Sequence, residues 1–64
     1  PGTMVSVFTT QDVVEEAIEE FGFENVSIAA INGTTQIVIS GNTDEVKELE
    51  EYFTQQEIKA KQLN

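Results

Sequence analysis

Three serines, Ser6, Ser27 and Ser40, and twelve carboxylates are the groups of this 64-residue chain that could take part in chemistry. A serine nucleophile needs a base within hydrogen-bond reach and donors for the developing oxyanion. The chain has no His and no Arg, and no Lys lies near any of the three serines. Each serine falls inside a stretch that reads as a strand, with no Gly-rich elbow around it, so all three read as packed or sheet-surface residues. Glu15, Glu16, Glu19 and Glu20 form one dense acidic patch, and Glu45, Glu48, Glu50 and Glu51 another. A hard cation would want a built loop such as Asp-x-Asn-x-Asp-Gly. None is present, and these patches read as solvated helix faces. No catalytic residue, no metal ligand and no cofactor site is assigned: the glycines form neither G-x-G-x-x-G nor a P-loop.

Composition narrows the class further. Sixty-four residues make one small domain, 1–64, with a marginal core. Without Cys there is no disulfide and no Cys/His zinc site. Twelve acids against three lysines give a net charge of −9 at pH 7. That charge argues against nucleic acid or an anionic membrane surface as partner. No apolar run approaches the roughly 20 residues of a membrane span, and no signal peptide is recognisable, so a cytoplasmic location is expected. Asn25-Val26-Ser27 and Asn32-Gly33-Thr34 match the glycosylation acceptor pattern, a three-residue match common by chance.

The elements follow from periodicity. Met4 to Phe8, bounded by Pro1-Gly2 and Thr9-Thr10, reads as a strand. From Gln11 the period becomes helical: Val13, Val14, Ala17, Ile18 and Phe21 form one stripe, with Thr10 as N-cap and Gly22 as the left-handed residue after the end. Val26 to Ile31 is a second strand. Asn32-Gly33 signals a hairpin because both residues tolerate positive φ, and a loop of up to four residues (32–35) leads to a third strand, Gln36 to Ser40. Gly41 ends it. Asn42 or Thr43 caps a second helix with the stripe Val46, Leu49, Phe53 and Tyr52 on its flank. Ile58 to Leu63 is a final edge strand guarded by Lys59 and Lys61.

The order β-α-β-β-α-β is the α+β, ferredoxin-like arrangement: a four-stranded antiparallel sheet, order 4-1-3-2, with two helices on one face. The strands carry apolar residues on both faces. Val26, Ile28 and Ala30 alternate with Ala29 and Ile31, Val5 and Val7 with Met4 and Phe8, and Val38 with Ile37 and Ile39. Helices cover one set only. The other is either ordinary exposed Val and Ala or a docking face.

The stretch Val26-Ser-Ile-Ala-Ala-Ile-Asn-Gly-Thr-Thr-Gln-Ile-Val-Ile-Ser-Gly41 resembles the V-x-I-A-A-x-N-G-P-x-x-x-V-V-S-G segment of acyltransferase domains of modular polyketide synthases. It resembles that of malonyl-CoA:acyl carrier protein transacylases more distantly. Gly2-Thr3-Met4 with Val5-Ser6-Val7 is similar to the family's G-x-M-x-A-V strand, and the resemblance spans almost the whole chain. It implies that residues 1–64 are the small ferredoxin-like subdomain, excised from a larger acyltransferase domain. Its partners would then be the large α/β-hydrolase-like subdomain, acyl-CoA and acyl carrier protein. In the family a serine in a G-H-S-x-G elbow attacks a malonyl-type thioester, a histidine serves as base and an arginine holds the extender carboxylate. None of these is in this chain, which the resemblance therefore implies is inactive alone. Asn32 and Gly33 match the family's turn near the cleft. Asn32 is either a substrate contact, its amide reaching a pantetheine or carbonyl group, or simply a positive-φ turn residue. Thr34 replaces the family's proline, and Gln56-Glu57 its glycine turn. If the resemblance holds, the acidic helix faces point away from the cleft, and Lys59 and Lys61 help offset the anionic partners. The rival readings are a small ACT-like regulatory binding module and an engineered fold with no biochemical role.

Overall fold

The computed structural model describes residues 2–63, so Pro1 of the expected first boundary lies outside the described residues. The chain runs β1 (Gly2–Val7), α1 (Gln11–Phe21), β2 (Val26–Ile31), β3 (Ile37–Asn42), α2 (Thr43–Gln55) and β4 (Ala60–Leu63). The strands form one sheet in the order β2-β3-β1-β4, the expected order read from the other edge. Every neighbouring pair is antiparallel. β1 and β2 therefore run parallel to each other with β3 between them, and α1 makes the crossover; β3 and β4 are related in the same way through α2.

Alternation along the two central strands decides which side the helices take. Val5, Val7, Ile37 and Ile39 share one cluster with Val14 and Ala17 of α1 and with Val46, Leu49 and Phe53 of α2. Both helices thus lie on the same face. Phe53 is the largest fully buried side chain. The expected stripe of α2 is the buried one. That of α1 is only partly so: Val14 and Ala17 are buried, whereas Val13 is 37% and Phe21 42% exposed. One residue is about 100° of helix rotation, which turns Val13 away from Val14. Phe21, the last helical residue, instead stacks on Phe23 at 5.0 Å between ring centroids and meets Tyr52 edge-on at 5.3 Å.

The bounds of three strands differ from the expectation. β1 begins earlier, because Gly2 and Thr3 pair with Asn42 and Gly41, and it stops before Phe8. β3 runs through Gly41 instead of ending there. At Gly41 the chain passes so close to the start of β2 that a Cβ would sit 2.8 Å from Val26 Cα; glycine is there for close approach, not to break the strand. β4 loses Ile58 and Lys59 to the end of α2. Ile58 N–H donates to Phe53 O at 2.8 Å and Glu57 N–H to Thr54 O at 3.0 Å, the pair of bonds of a Schellman ending.

That ending needs a left-handed residue, and Glu57 supplies it at φ 63°. The equivalent residue after α1 is Gly22, at φ 72°. A residue with a Cβ pays about 1–2 kcal/mol for this conformation. Glu57→Gly is therefore expected to raise stability by about 0.5–1 kcal/mol, after the greater freedom of glycine in the unfolded chain is offset. Urea and thermal melts check this; an unchanged or lowered midpoint contradicts it. Phe53→Ala should cost about 3–5 kcal/mol. That is comparable with the total of roughly 3–10 kcal/mol expected for a domain of this size, so its far-ultraviolet dichroism at 37 °C should be that of a largely unfolded chain.

Candidate functional site

Ala29 makes the β2–β3 hairpin irregular. Ile28 pairs with Ile39, but Ala30 pairs with Val38, so one extra residue of β2 forms a bulge. A bulge flips the side-chain alternation beyond it. Ile31, paired with Ile37, comes to the helix side, and Ala30 joins Val38 on the other. This corrects the simple alternation read from the sequence, which placed Ala30 with Val26 and Ile28. The bulge aims the end of the hairpin at the start of α1.

The connection spans residues 32–36, one longer than expected. Asn32 N–H donates to Gln36 O at 2.9 Å and closes it. Gly33 has φ 139°, whereas Glu57 is the one non-glycine residue with positive φ among those described. Asn32 is therefore not a positive-φ turn residue, and the two-residue turn that Asn-Gly suggested does not form. Thr34, Thr35 and Gln36 lengthen the loop, so one left-handed position is enough to reverse the chain. Among the described residues the Asn32 side chain has no hydrogen-bond partner, and the residue is exposed. Beside it lies an open concavity of about 610 Å³ lined by Thr10, Gln11, Ile31, Gly33, Thr34 and Ile37. Asn32 lies in sequence between two lining residues, Ile31 and Gly33, but is not itself one of them. Thr10 holds the N-cap position of α1 with extended backbone, but its side chain makes no cap hydrogen bond.

Lys61 is the cross-strand neighbour of Ser6, nearer than the sequence suggested, but among the described residues no lysine is hydrogen-bonded to any of the three serines. Ser6 is buried on the sheet face turned away from the helices, and its Oγ accepts from Gln36 Nε2 at 3.4 Å. Ser27 and Ser40 are cross-strand partners. No group of three or more carboxylates among the described residues is placed to hold a metal ion. Most helix acids are exposed, with one departure: Glu45 is not a purely solvated group. Its Oε1 accepts from Asn25 N–H at 3.2 Å and its Oε2 from Asn25 Nδ2 at 3.4 Å. Its own N–H donates to Asn42 Oδ1 at 3.2 Å, which makes Asn42 the N-cap. The Asn42-x-x-Glu45 spacing is that of a capping box, but only half of it forms: Asn42 N–H donates to Asn25 O at 2.8 Å, and the Glu45 carboxylate turns to Asn25 instead.

No family model matches the chain. A polyketide synthase–nonribosomal peptide synthetase hybrid of Aspergillus niger is 41% identical over 63 residues, which is 97% of this chain and 3% of that protein. The acyltransferase domain from module 8 of the salinomycin polyketide synthase superposes with a TM-score of 0.90 at 33% identity, over 98% of this chain and 15% of that one. The malonyl CoA-acyl carrier protein transacylase of Burkholderia pseudomallei superposes at 0.89 with 28% identity, over 98% of this chain and 22% of the other. The chain thus spans a small fraction of each protein that it resembles.

The geometry separates two asparagines. Asn32→Ala should leave stability within about 0.5 kcal/mol, since it removes no bond and no required conformation. Asn42→Ala should lose about 1 kcal/mol with the cap. Urea unfolding of the two variants compares them directly; a comparable loss for both would mean that Asn32 holds the turn together.

Proposed function

We propose that this chain, in sequence and fold a segment of the polyketide synthase acyltransferase and malonyl transacylase family, is the small non-catalytic part of such a domain. Its Asn32–Gly33 turn would wall the acyl-CoA cleft. The remainder of the domain would supply the nucleophilic serine, the histidine base and the arginine for the extender carboxylate, none of which this chain carries. The whole would move a malonyl-type unit from CoA to an acyl carrier protein in the cytoplasm. No helix among the described residues is long and apolar enough to cross a membrane.

The observation that carries this reading is the state of Asn32. The backbone does not require an asparagine there, and its amide is exposed and unpartnered among the described residues, in a loop whose Ile31, Gly33 and Thr34 line an open concavity. Such an amide donates and accepts at once, which suits the amide groups of a pantetheine arm or a thioester carbonyl. It would position substrate while the chemistry happens on the other part. The charge distribution supports the same arrangement. Ten of the twelve acids lie on α1 and α2, whereas Lys59 and Lys61 belong to the β4 side, so anionic CoA and carrier protein need not face the acidic layer.

The test is a chimera in which this chain replaces the equivalent segment of the salinomycin module 8 acyltransferase domain. The chain alone should transfer no label from malonyl-CoA. In the chimera, Asn32→Ala should lower kcat/KM roughly 3- to 10-fold, the equivalent of one hydrogen bond, with an unchanged melting temperature. Transfer by the isolated chain, or an Asn32→Ala chimera as active as its parent, would overturn the proposal.

A further inference from the structure

We infer that Asn32 and Gly33 form a self-modification site, at which the Gly33 backbone nitrogen attacks the Asn32 side-chain amide and converts it to a carboxylate. The chemistry needs only this turn and water, so it stands apart from the acyltransferase reading.

The described residues include three asparagines, and the fold restrains two of them. Asn25 Nδ2 donates to Glu45 Oε2 at 3.4 Å, and its backbone N–H donates to Glu45 Oε1 at 3.2 Å. The residue after it, Val26, is β-branched, buried and paired with Gly41 in the sheet. Asn42 Oδ1 accepts from Glu45 N–H at 3.2 Å, and the residue after it, Thr43, is the first of α2. Asn32 has neither restraint. Its side chain is exposed and without a hydrogen bond among the described residues, and a glycine follows it. The Gly33 N–H makes no hydrogen bond among the described residues. Nothing lies within 4 Å of the place a Gly33 Cβ would occupy, so neither a side chain nor a neighbour crowds the approach of that nitrogen. The bond from Asn32 N–H to Gln36 O, 2.9 Å long, involves neither reacting atom.

Asparagine is a thermolabile residue because its amide can close a ring on the next peptide nitrogen. Gly33 N gives its proton to water and forms a bond to Asn32 Cγ. The Cγ–Nδ2 bond breaks, and that nitrogen takes the proton back and leaves as ammonia. The product is a five-membered succinimide. Water then opens the ring at either carbonyl. Attack at Cγ breaks its new bond to Gly33 N and gives aspartate. Attack at the main-chain carbonyl carbon breaks the original peptide bond and gives isoaspartate, whose chain runs on through Cγ. In sum one water is consumed and one ammonia released, with no oxidation or reduction. Either product adds one negative charge to the −9 of the chain, and isoaspartate also lengthens the main chain by one carbon within the loop 32–36. At Asn25 and Asn42 a hydrogen bond must first break, which slows attack about 3- to 10-fold for each bond, and a strand or helix end must open as well.

The test is incubation of the 64-residue chain at 37 °C in mildly alkaline buffer, folded and in guanidinium chloride, followed by peptide mapping. The mass of the peptide that carries residue 32 reports loss of the amide. Methyl transfer from S-adenosylmethionine by an isoaspartyl methyltransferase reports the rearranged product. In the folded chain, conversion at Asn32 should run on the order of tenfold or more ahead of Asn25 and Asn42, and within about threefold of its own rate in the unfolded chain. Asn32→Ala should abolish the methyl-accepting signal. Conversion at Asn25 or Asn42 as fast as at Asn32 overturns the inference. So does an Asn32 that stays intact in the folded chain while the unfolded chain converts, or a methyl-accepting signal that persists in Asn32→Ala. None of these readouts involves acyl transfer, so their failure leaves the proposed function standing, and failure of the chimera leaves them standing.

Discussion

Four strands covered by two helices on one side are the constraint from which the rest of the molecule follows. α2 lies over the central strands β1 and β3, and α1 over the edge strand β2. Phe53, Leu49 and Val46 meet Val5, Val7, Ile37 and Ile39 in one dry cluster. A domain this small cannot build a second layer of helices. The opposite face of the same strands therefore has to be left to polar side chains or to another surface. That face is mixed: Met4, Val38 and Leu63 share it with Ser6, Ser40 and Lys61.

Polar groups make the secondary attachments that set the ends of the elements. Glu45 ties the start of α2 to Asn25 in the loop before β2, and Asn42 caps the helix whose Glu45 N–H it accepts. Gly41 lets β3 pass under the start of β2. These contacts fix β2 at its beginning, and the bulge at Ala29 then turns its far end toward α1. The concavity at the hairpin is a product of both.

This division of roles keeps the carboxylates of the described residues from gathering into a metal-binding group. Ten of the chain's twelve acids are spread along two helices, and its serines lie in strands, where Lys61 faces Ser6 across the ladder without a hydrogen bond to it among the described residues. The acyltransferase domains that the chain resembles are several times longer than it is.

Local pattern was enough for the element order, the one-sided helices and the stripe of α2, because each depends on residues a few positions apart; it left the cap of α2 between Asn42 and Thr43, and the bond from Glu45 N–H decides for Asn42. The family resemblance was legible for the same reason, being carried mainly by one uninterrupted stretch, Val26 to Gly41. Tertiary structure decided what depends on distant neighbours. No periodicity marks Ala29 as a bulge, since the extra residue is defined only against β3, and with it go the side taken by Ala30 and the aim of the hairpin. Asn32-Gly33 suggests a two-residue turn, yet the closing bond from Asn32 to Gln36 shows that loop length overrode the dipeptide. Glu57 gives no local sign that it will take a left-handed conformation. It does so because Ile58 is drawn into the core with Phe53, and burial of that side chain outweighs the strain in the residue before it.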